Sequence, residues 1–493
     1  MNRTTLAMIG SLAVLVTAVF LLSRSNRRSE DQTEPLVLFC AASNRAVVDA
    51  VREDYKKEFG REIQIQYGPS QTLLATMEVA GTGDLYLPAD DSFLNLAKEK
   101  NLVAEVLPLG TMNAGLAVVK GNPKHISTLA DLLTDEVRFV QASAKASAIG
   151  KLTHDVLTRS QQWDALDKAT DAYRTTVTDV ANDVLVGAAD AGVVYDAVLH
   201  TYPGLEFVSI PELASAQSRV AVGVVNGSKQ PSAALHFARY LAASDRGGKR
   251  YEEFGFTAEK SEAWSDALEL AVFAGSMLRP AIEETIKAFE QREGVRVTTV
   301  YNGCGILVAQ MKTGQLPDAY FACDKEFMSQ VKEYFPDPVD VSQNELVILV
   351  QKGNPLGIRS LKDLTREGVR VGIGHEKQRA MGWITQNTFR EGGIQKEVMA
   401  NVTVQTPTGD MLVNQLRTGS LDAAVAYLSN AARAAEYIEA VQITGIECSV
   451  STQPWAIASK SKFPLTTSRL FERICSLESQ ETFLAEGFRW QKN

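Results

Sequence analysis

Signatures of metal, nucleotide and nucleic-acid binding are what this sequence most clearly lacks. Histidine and cysteine are scarce, five of each in 493 residues. His125, His154, His200, His236 and His375 form no HxxxH or HExxH pattern, and Cys40, Cys304, Cys323, Cys448 and Cys475 form no CxxC. Zinc-ligand spacing is therefore excluded. Gly247–Arg250 (GGKR) lacks phosphate-loop spacing, and Gly372–Gly374 lacks the rest of a dinucleotide fingerprint. No long basic run occurs and the net charge is −9, so nucleic acid is not an expected partner. Net charge does not exclude an anionic ligand, because local donors decide that.

Long apolar runs are also missing, with one exception. Leu6–Leu22 is apolar, preceded by Arg3 and followed by Arg24, Arg27 and Arg28. Its length is close to that needed to span a bilayer. With no A-x-A-like cleavage site behind it, residues 1–34 read as a signal peptide or an uncleaved anchor with a short polar linker. The overall composition, 45% hydrophobic and 22% charged, is that of folded globular domains. The length allows roughly two to four of them.

What the sequence does contain is a repeat. Tyr67–Asp91, YGPSQTLLATMEVAGTGDLYLPADD, returns without a gap as Tyr301–Lys325, YNGCGILVAQMKTGQLPDAYFACDK. Tyr67, Leu73, Met77, Asp84, Tyr86 and Asp90 become Tyr301, Leu307, Met311, Asp318, Tyr320 and Asp324. So long a period is a duplicated domain rather than a solenoid, whose units run about 20–50 residues. The turn KGNP recurs at Lys120–Pro123 and Lys352–Pro355, and GAADAGVVY at Gly187–Tyr195 answers GSLDAAVAY at Gly419–Tyr427. Short apolar runs alternate with helical patterns throughout, which predicts α/β domains with mainly parallel sheets. The boundaries expected are about 35–258 and 268–490.

In each copy a short Gly/Ser-type loop leaves a strand and opens a helix. Such a loop puts unpaired N–H groups and a hydroxyl at a helix N-terminus, a ready anion site. Four stretches of the first copy look convergent: Ala41–Ser43, Pro69–Gln71, Ser147–Gly150 and Val180–Tyr195. Helix capping is the plainer role for Ser43 and Ser70, and a core aromatic the plainer role for Tyr195. Asp84 and Asp90 read as caps or strand-end anchors.

These residues also carry a resemblance. F-x-A-A-S at Phe39–Ser43, the Ser70 loop, D-L-Y-x-x-A-D at Asp84–Asp90, the KGNP turn and A-G-V-V-Y at Ala191–Tyr195 resemble, in order and spacing, the periplasmic molybdate-binding proteins, solute receptors of ABC transporters. The resemblance covers both copies. It implies two tandem periplasmic-binding-protein-like domains, each of two α/β lobes with a central ligand cleft. It implies a tetrahedral oxyanion, molybdate or tungstate, as ligand, an ABC permease in the membrane as partner, no cofactor, no direct metal-ion ligands and no enzyme activity. The expected location is periplasmic or extracytoplasmic, tethered by the N-terminal segment or released by its cleavage. Carried onto this chain, the ligand residues would be the hydroxyls of Ser43 and Ser70, the backbone N–H groups of Ala148 and Val180, and the Tyr195 phenol. A desolvated dianion needs several such donors, each bond to a charged acceptor being worth about 1.5–3 kcal/mol.

The second copy departs from this pattern. Ser276 fits the first serine after a one-residue gap, Ala380 and Leu412 align with Ala148 and Val180, and Tyr427 with Tyr195. Cys304 stands at the second serine, with Cys323 before Asp324 and Arg379 in place of Ser147. A thiol is a weaker donor than a hydroxyl. Three outcomes are open: a degenerate site, a different ligand, or a Cys304–Cys323 disulfide. Two alternatives to a transport receptor keep the fold, a membrane-anchored oxyanion sensor or storage module and an enzyme with Cys304 as nucleophile.

Overall fold

The structure, a computed structural model, describes residues 34–376, 380–432 and 434–492. The apolar segment Leu6–Leu22 and Arg379 lie outside the described residues. The chain divides into two compact units, Met1–Trp264 and Ser265–Asn493.

In the first unit the strands are β1 (Leu36–Ala41), β2 (Ile63–Gly68), β3 (Leu85–Leu87), β4 (Val103–Val119), β5 (Phe139–Ala142), β6 (Thr170–Arg174), β7 (Ala191–Tyr195), β8 (Leu205–Val208), β9 (Gln217–Val225) and β10 (Thr257–Ala258). They lie in the order β2-β1-β3-β9-β4-β7-β5-β6, with β8 and β10 also pairing to β4. β1 runs parallel to β2 and β3, and β5 parallel to β6 and β7. These parallel groups, linked by helical crossovers, are the centres of two lobes. The long strand β4 pairs antiparallel with β9 as far as Asn113 and with β7 from Ala114 onward. One strand thus belongs to both lobes and passes between them at Asn113 and Ala114. Its second half is buried on consecutive residues, Ala114 to Val118, as a central strand covered on both faces must be.

The second unit repeats this plan with β11 (Glu269–Gly275), β12 (Arg296–Asn302), β13 (Ala319–Phe321), β14 (Val339–Gln351), β15 (Val371–Gly374), β16 (Val402–Thr406), β17 (Ala423–Tyr427), β18 (Ile438–Gln442), β19 (Val450–Ile457) and β20 (Arg489–Trp490). Their order is β12-β11-β13-β19-β14-β17-β15-β16. The acid that opens each D-L-Y-type strand is an anchor. Asp84 accepts from the Val37 N–H at 2.8 Å and the Ser228 hydroxyl at 2.6 Å. Asp318 accepts from the Ala271 N–H at 2.9 Å and the Ser461 hydroxyl at 2.7 Å.

Candidate ligand-binding site

The cleft of the first unit is made where strands end and helices begin. β1 stops at Ala41, and the 3-10 turn Ala42–Asn44 leads into the helix Arg45–Phe59. β2 stops at Gly68, and Pro69 precedes the helix Ser70–Ala80. The other lobe supplies the helix Ala148–Arg159 behind Ser147, the helix Val177–Leu185 behind Thr176, and Tyr195 at the end of β7. The first turn of a helix holds N–H groups without intrahelical acceptors and a partial positive charge. Several such ends around one cavity favour an anion. Gly150 brings one of them in: a Cβ there would lie 2.4 Å from the Ala142 carbonyl oxygen. Only glycine lets that first turn press so closely against the end of β5.

The cavity is small, about 10 Å³, and among the described residues no charged side chain lines it. Its hydroxyls come from Ser43, Ser70, Ser147, Thr176 and Tyr195. Neither Ser43 nor Ser70 spends its hydroxyl on capping its helix. Ser43 Oγ accepts from Asn44 Nδ2 at 3.4 Å. Ser70 Oγ accepts the Ala89 N–H at 3.1 Å, which leaves its own proton for an acceptor. The Tyr86 hydroxyl donates to the Ser70 carbonyl at 2.8 Å and fixes the loop.

Tyr195 is the sharpest feature. It is 0% exposed and its hydroxyl has no hydrogen-bond partner. The Ser218 hydroxyl beside it has one proton and already faces two acceptors, the Ala89 carbonyl at 2.5 Å and Asp90 Oδ2 at 3.1 Å. Burial first, and the Asp90 charge second, push the Tyr195 phenol well above its ordinary pKa. It therefore stays a neutral donor at any working pH.

Ser43, Ser70, Ala148 and Tyr195 meet at this cavity, and Val180 does not. Val180 is fully buried one turn inside its helix, and its N–H points to the Thr176 carbonyl at 3.4 Å. Thr176 and Val177 line the cavity in its place. A capping box decides this: Thr176 Oγ1 accepts the Asp179 N–H at 3.1 Å, and Asp179 Oδ2 accepts the Thr176 N–H at 3.1 Å. The helix therefore starts at Val177. The signal for it, T-x-x-D at 176–179, stands in the sequence.

The second unit keeps the frame and changes the lining. Cys304 and Cys323 form a disulfide. Cys304 Sγ faces the Cys323 N–H at 3.1 Å, as Ser70 Oγ faces that of Ala89. The disulfide, one of the three open outcomes, is formed. It removes the thiol that an enzyme with Cys304 as nucleophile would need. Cys304 is 0% exposed and off the cavity, which Cys323 and Gly303 line instead. Tyr427 repeats Tyr195: 3% exposed, hydroxyl unpartnered, beside a Ser451 hydroxyl that faces the Cys323 carbonyl at 2.5 Å and Asp324 Oδ2 at 3.1 Å.

Ser276 lines this cavity, but the registers place it opposite Ala42 rather than Ser43. Ala41 pairs with Gly68 and Gly275 with Asn302, and each following helix starts four residues later, at Arg45 and at Arg279. No gap is needed, and Met277 occupies the Ser43 position. Leu412, fully buried, is absent from the lining, where Gly409 and Asp410 stand. Ala380 opens the helix Ala380–Glu391, whose Met381 reaches the cavity. This cavity measures about 120 Å³. Among the described residues, no group of three or more His, Cys, Asp or Glu is placed to hold a metal ion, and no helix is long and apolar enough to cross a membrane.

Two α/β units, each with a cleft between lobes that share a strand, define a duplicated receptor of the periplasmic-binding-protein type. The bacterial extracellular solute-binding protein family matches residues 36–257 and again 270–489, and the chain belongs to that family, with two copies of its domain. The molybdate-binding protein ModA of Mycobacterium bovis is 25% identical over 256 residues, 50% of this chain and 96% of that protein. ModA of Mycobacterium tuberculosis matches to the same extent. Among solved structures, the periplasmic molybdate-binding protein of Azotobacter vinelandii has a TM-score of 0.41 at 13% identity, covering 46% of this chain and 100% of that one. The sulfate-binding protein SubI of Mycobacterium tuberculosis has a TM-score of 0.38 at 18% identity, covering 45% and 87%.

Proposed function

We propose that this chain is an extracytoplasmic receptor whose first cleft captures a tetrahedral oxyanion, molybdate or tungstate, for an ABC permease. One observation carries the reading: a fully buried Tyr195 hydroxyl without a partner, at a cavity lined by neutral donors and no charged side chain. A buried hydroxyl left unmatched is costly, and an acceptor that arrives with the ligand would offset that cost. Ser43 and Ser70 add hydroxyls, and the helix starts at Ser70, Ala148 and Val177 add N–H groups. A shell of neutral hydroxyls and N–H groups without a carboxylate suits an unprotonated oxyanion. A protonated phosphate would bring an O–H that meets no charged acceptor there. The relatives named for molybdate binding support the choice of anion.

At about 10 Å³ the cavity holds roughly one water. The reading therefore requires the lobes to part, by bending β4 and β9, before the anion enters. Calorimetric titration of the purified chain with molybdate, tungstate and sulfate tests it. Binding of molybdate or tungstate, weakened about 10- to 150-fold in Tyr195→Phe, is the expected result. If no oxyanion binds, or if Tyr195→Phe binds as the wild type does, the reading fails.

A further inference from the structure

The second cleft differs from the first by a coupled set of replacements, not by simple decay. The two serine positions have become Met277 and the bridged Cys304, so those two hydroxyls are gone, while Ser276 and Thr408 still line the cavity. Three other replacements add acceptors or make room for them. The helices Val177–Leu185 and Gly409–Arg417 have equal length and stand equally far before Tyr195 and Tyr427. That register puts Gly409 in the place of Val177, Asp410 in that of Thr178, and Asn430 in that of Val198.

Gly409 and Asn430 belong together. A Cβ on Gly409 would lie 2.2 Å from Asn430 Oδ1 and 2.4 Å from its Cγ. The amide of Asn430 fits only because residue 409 is glycine. Its orientation is also fixed, because Asn430 Nδ2 donates to Asp410 Oδ1 at 3.2 Å and a carboxylate can only accept. Asn430 Oδ1 is thereby left as a buried acceptor without a partner. On the same cavity Tyr427, 3% exposed, keeps a buried donor without a partner. Asp410, in the position of Thr178, adds an exposed carboxylate to the edge of this cavity.

The site therefore asks for two things at once: an acceptor for Tyr427 and an N–H donor for Asn430, with the Asp410 carboxylate beside it. A bare oxyanion offers only the first and would be repelled by Asp410. We propose that the second cleft binds a small zwitterion with an ammonium and a carboxylate group, of the amino-acid class. The carboxylate lies against Tyr427 and the helix start at Gly409, with Gly303 beside it. The ammonium lies against Asn430 Oδ1 and Asp410. The space suits a ligand larger than the first cleft takes. The cavity of about 120 Å³ shares Ser276, Met277, Asp410 and Asn430 with a neighbouring cavity of about 340 Å³, so a side chain has somewhere to go.

The test is calorimetry of the full chain carrying Tyr195→Phe, titrated with each of the common L-amino acids and, separately, with tungstate. At least one amino acid is expected to bind one site per chain. Its affinity should fall by about tenfold or more in Asn430→Val, which restores the first-copy residue and removes one bond to a charged donor. Gly409→Ala should impair the same binding by displacing the Asn430 amide. The inference is overturned if no amino acid binds, if tungstate displaces the bound amino acid, or if Asn430→Val leaves amino-acid affinity unchanged. Failure of the oxyanion reading of the first cleft would leave these results untouched.

Discussion

Removing the Tyr195 hydroxyl should move stability and affinity in opposite directions. In the free protein this oxygen is buried without a partner, a state that costs about 1–3 kcal/mol for an unsatisfied group. The cavity beside it can hold roughly one water that would repay part of that cost, so the lower end applies. Tyr195→Phe keeps the ring and its packing and deletes only the oxygen. The unliganded first unit is therefore expected to become more stable by about 1 kcal/mol or to stay unchanged. In the complex the same oxygen donates to a charged acceptor. Its loss costs about 1.5–3 kcal/mol, or about 10- to 150-fold in affinity. Denaturant unfolding without ligand reads the first quantity, and calorimetry with tungstate reads the second. Because burial holds the phenol proton well beyond the ordinary tyrosine range, wild-type affinity should also stay level through pH 10. A variant clearly less stable than wild type, with affinity intact, would refute the reasoning and make the hydroxyl a structural group. An affinity that falls with an apparent pKa near 10 would refute it equally.

Two further outcomes follow from the second unit and from the repeat itself. The Cys304–Cys323 bridge closes a separation of 19 residues, for which chain entropy gives about 3 kcal/mol. Cys304→Ser with Cys323→Ala, which restores the first-copy pair, should lower denaturant stability of the second unit by roughly that amount and leave the first unit unchanged; a loss below about 1 kcal/mol would contradict it. Arg138 with Asp190 and Arg370 with Asp422 form the same ion pair in the two units, at 2.8 and 2.7 Å, and in each the arginine holds the aspartate below the usual carboxylate range. With the folded pKa lowered, this stability is present above the unfolded carboxylate value and is lost as pH falls through the folded one. Asp190→Asn should therefore be less stable than wild type at pH 7, with the gap closing in acid. A gap independent of pH would rule the ion pair out as its source.

The duplication and its cleft were legible because the informative residues lie where strands end. Ser70 and Tyr195 sit at those ends, and both carry their neighbours' spacing into the second copy without a gap. What failed was register over a few residues. Val180 aligns by motif, yet the residue at a helix start is decided by the cap, and Thr176 with Asp179 moved that start to Val177. Ser276 looked like the missing serine, but the strand-to-helix turn admits no gap and gives the position to Met277. The pairing of Gly409 with Asn430 could not be read from a separation of 21 residues, because only the packed backbone brings the amide against the glycine. The fate of Cys304 and Cys323 was likewise open until the strand end and the loop were seen to meet.

The strand order has a consequence for how the protein is made. β9 fills the place between β3 and β4, so the first lobe is interrupted in sequence by the whole of the second. As the chain leaves the ribosome at about 5–20 residues per second, the edge of β3 waits on the order of ten seconds for β9 to be synthesised. The lobe that begins first is completed last, and each unit remains open to chaperones until its final strands have emerged.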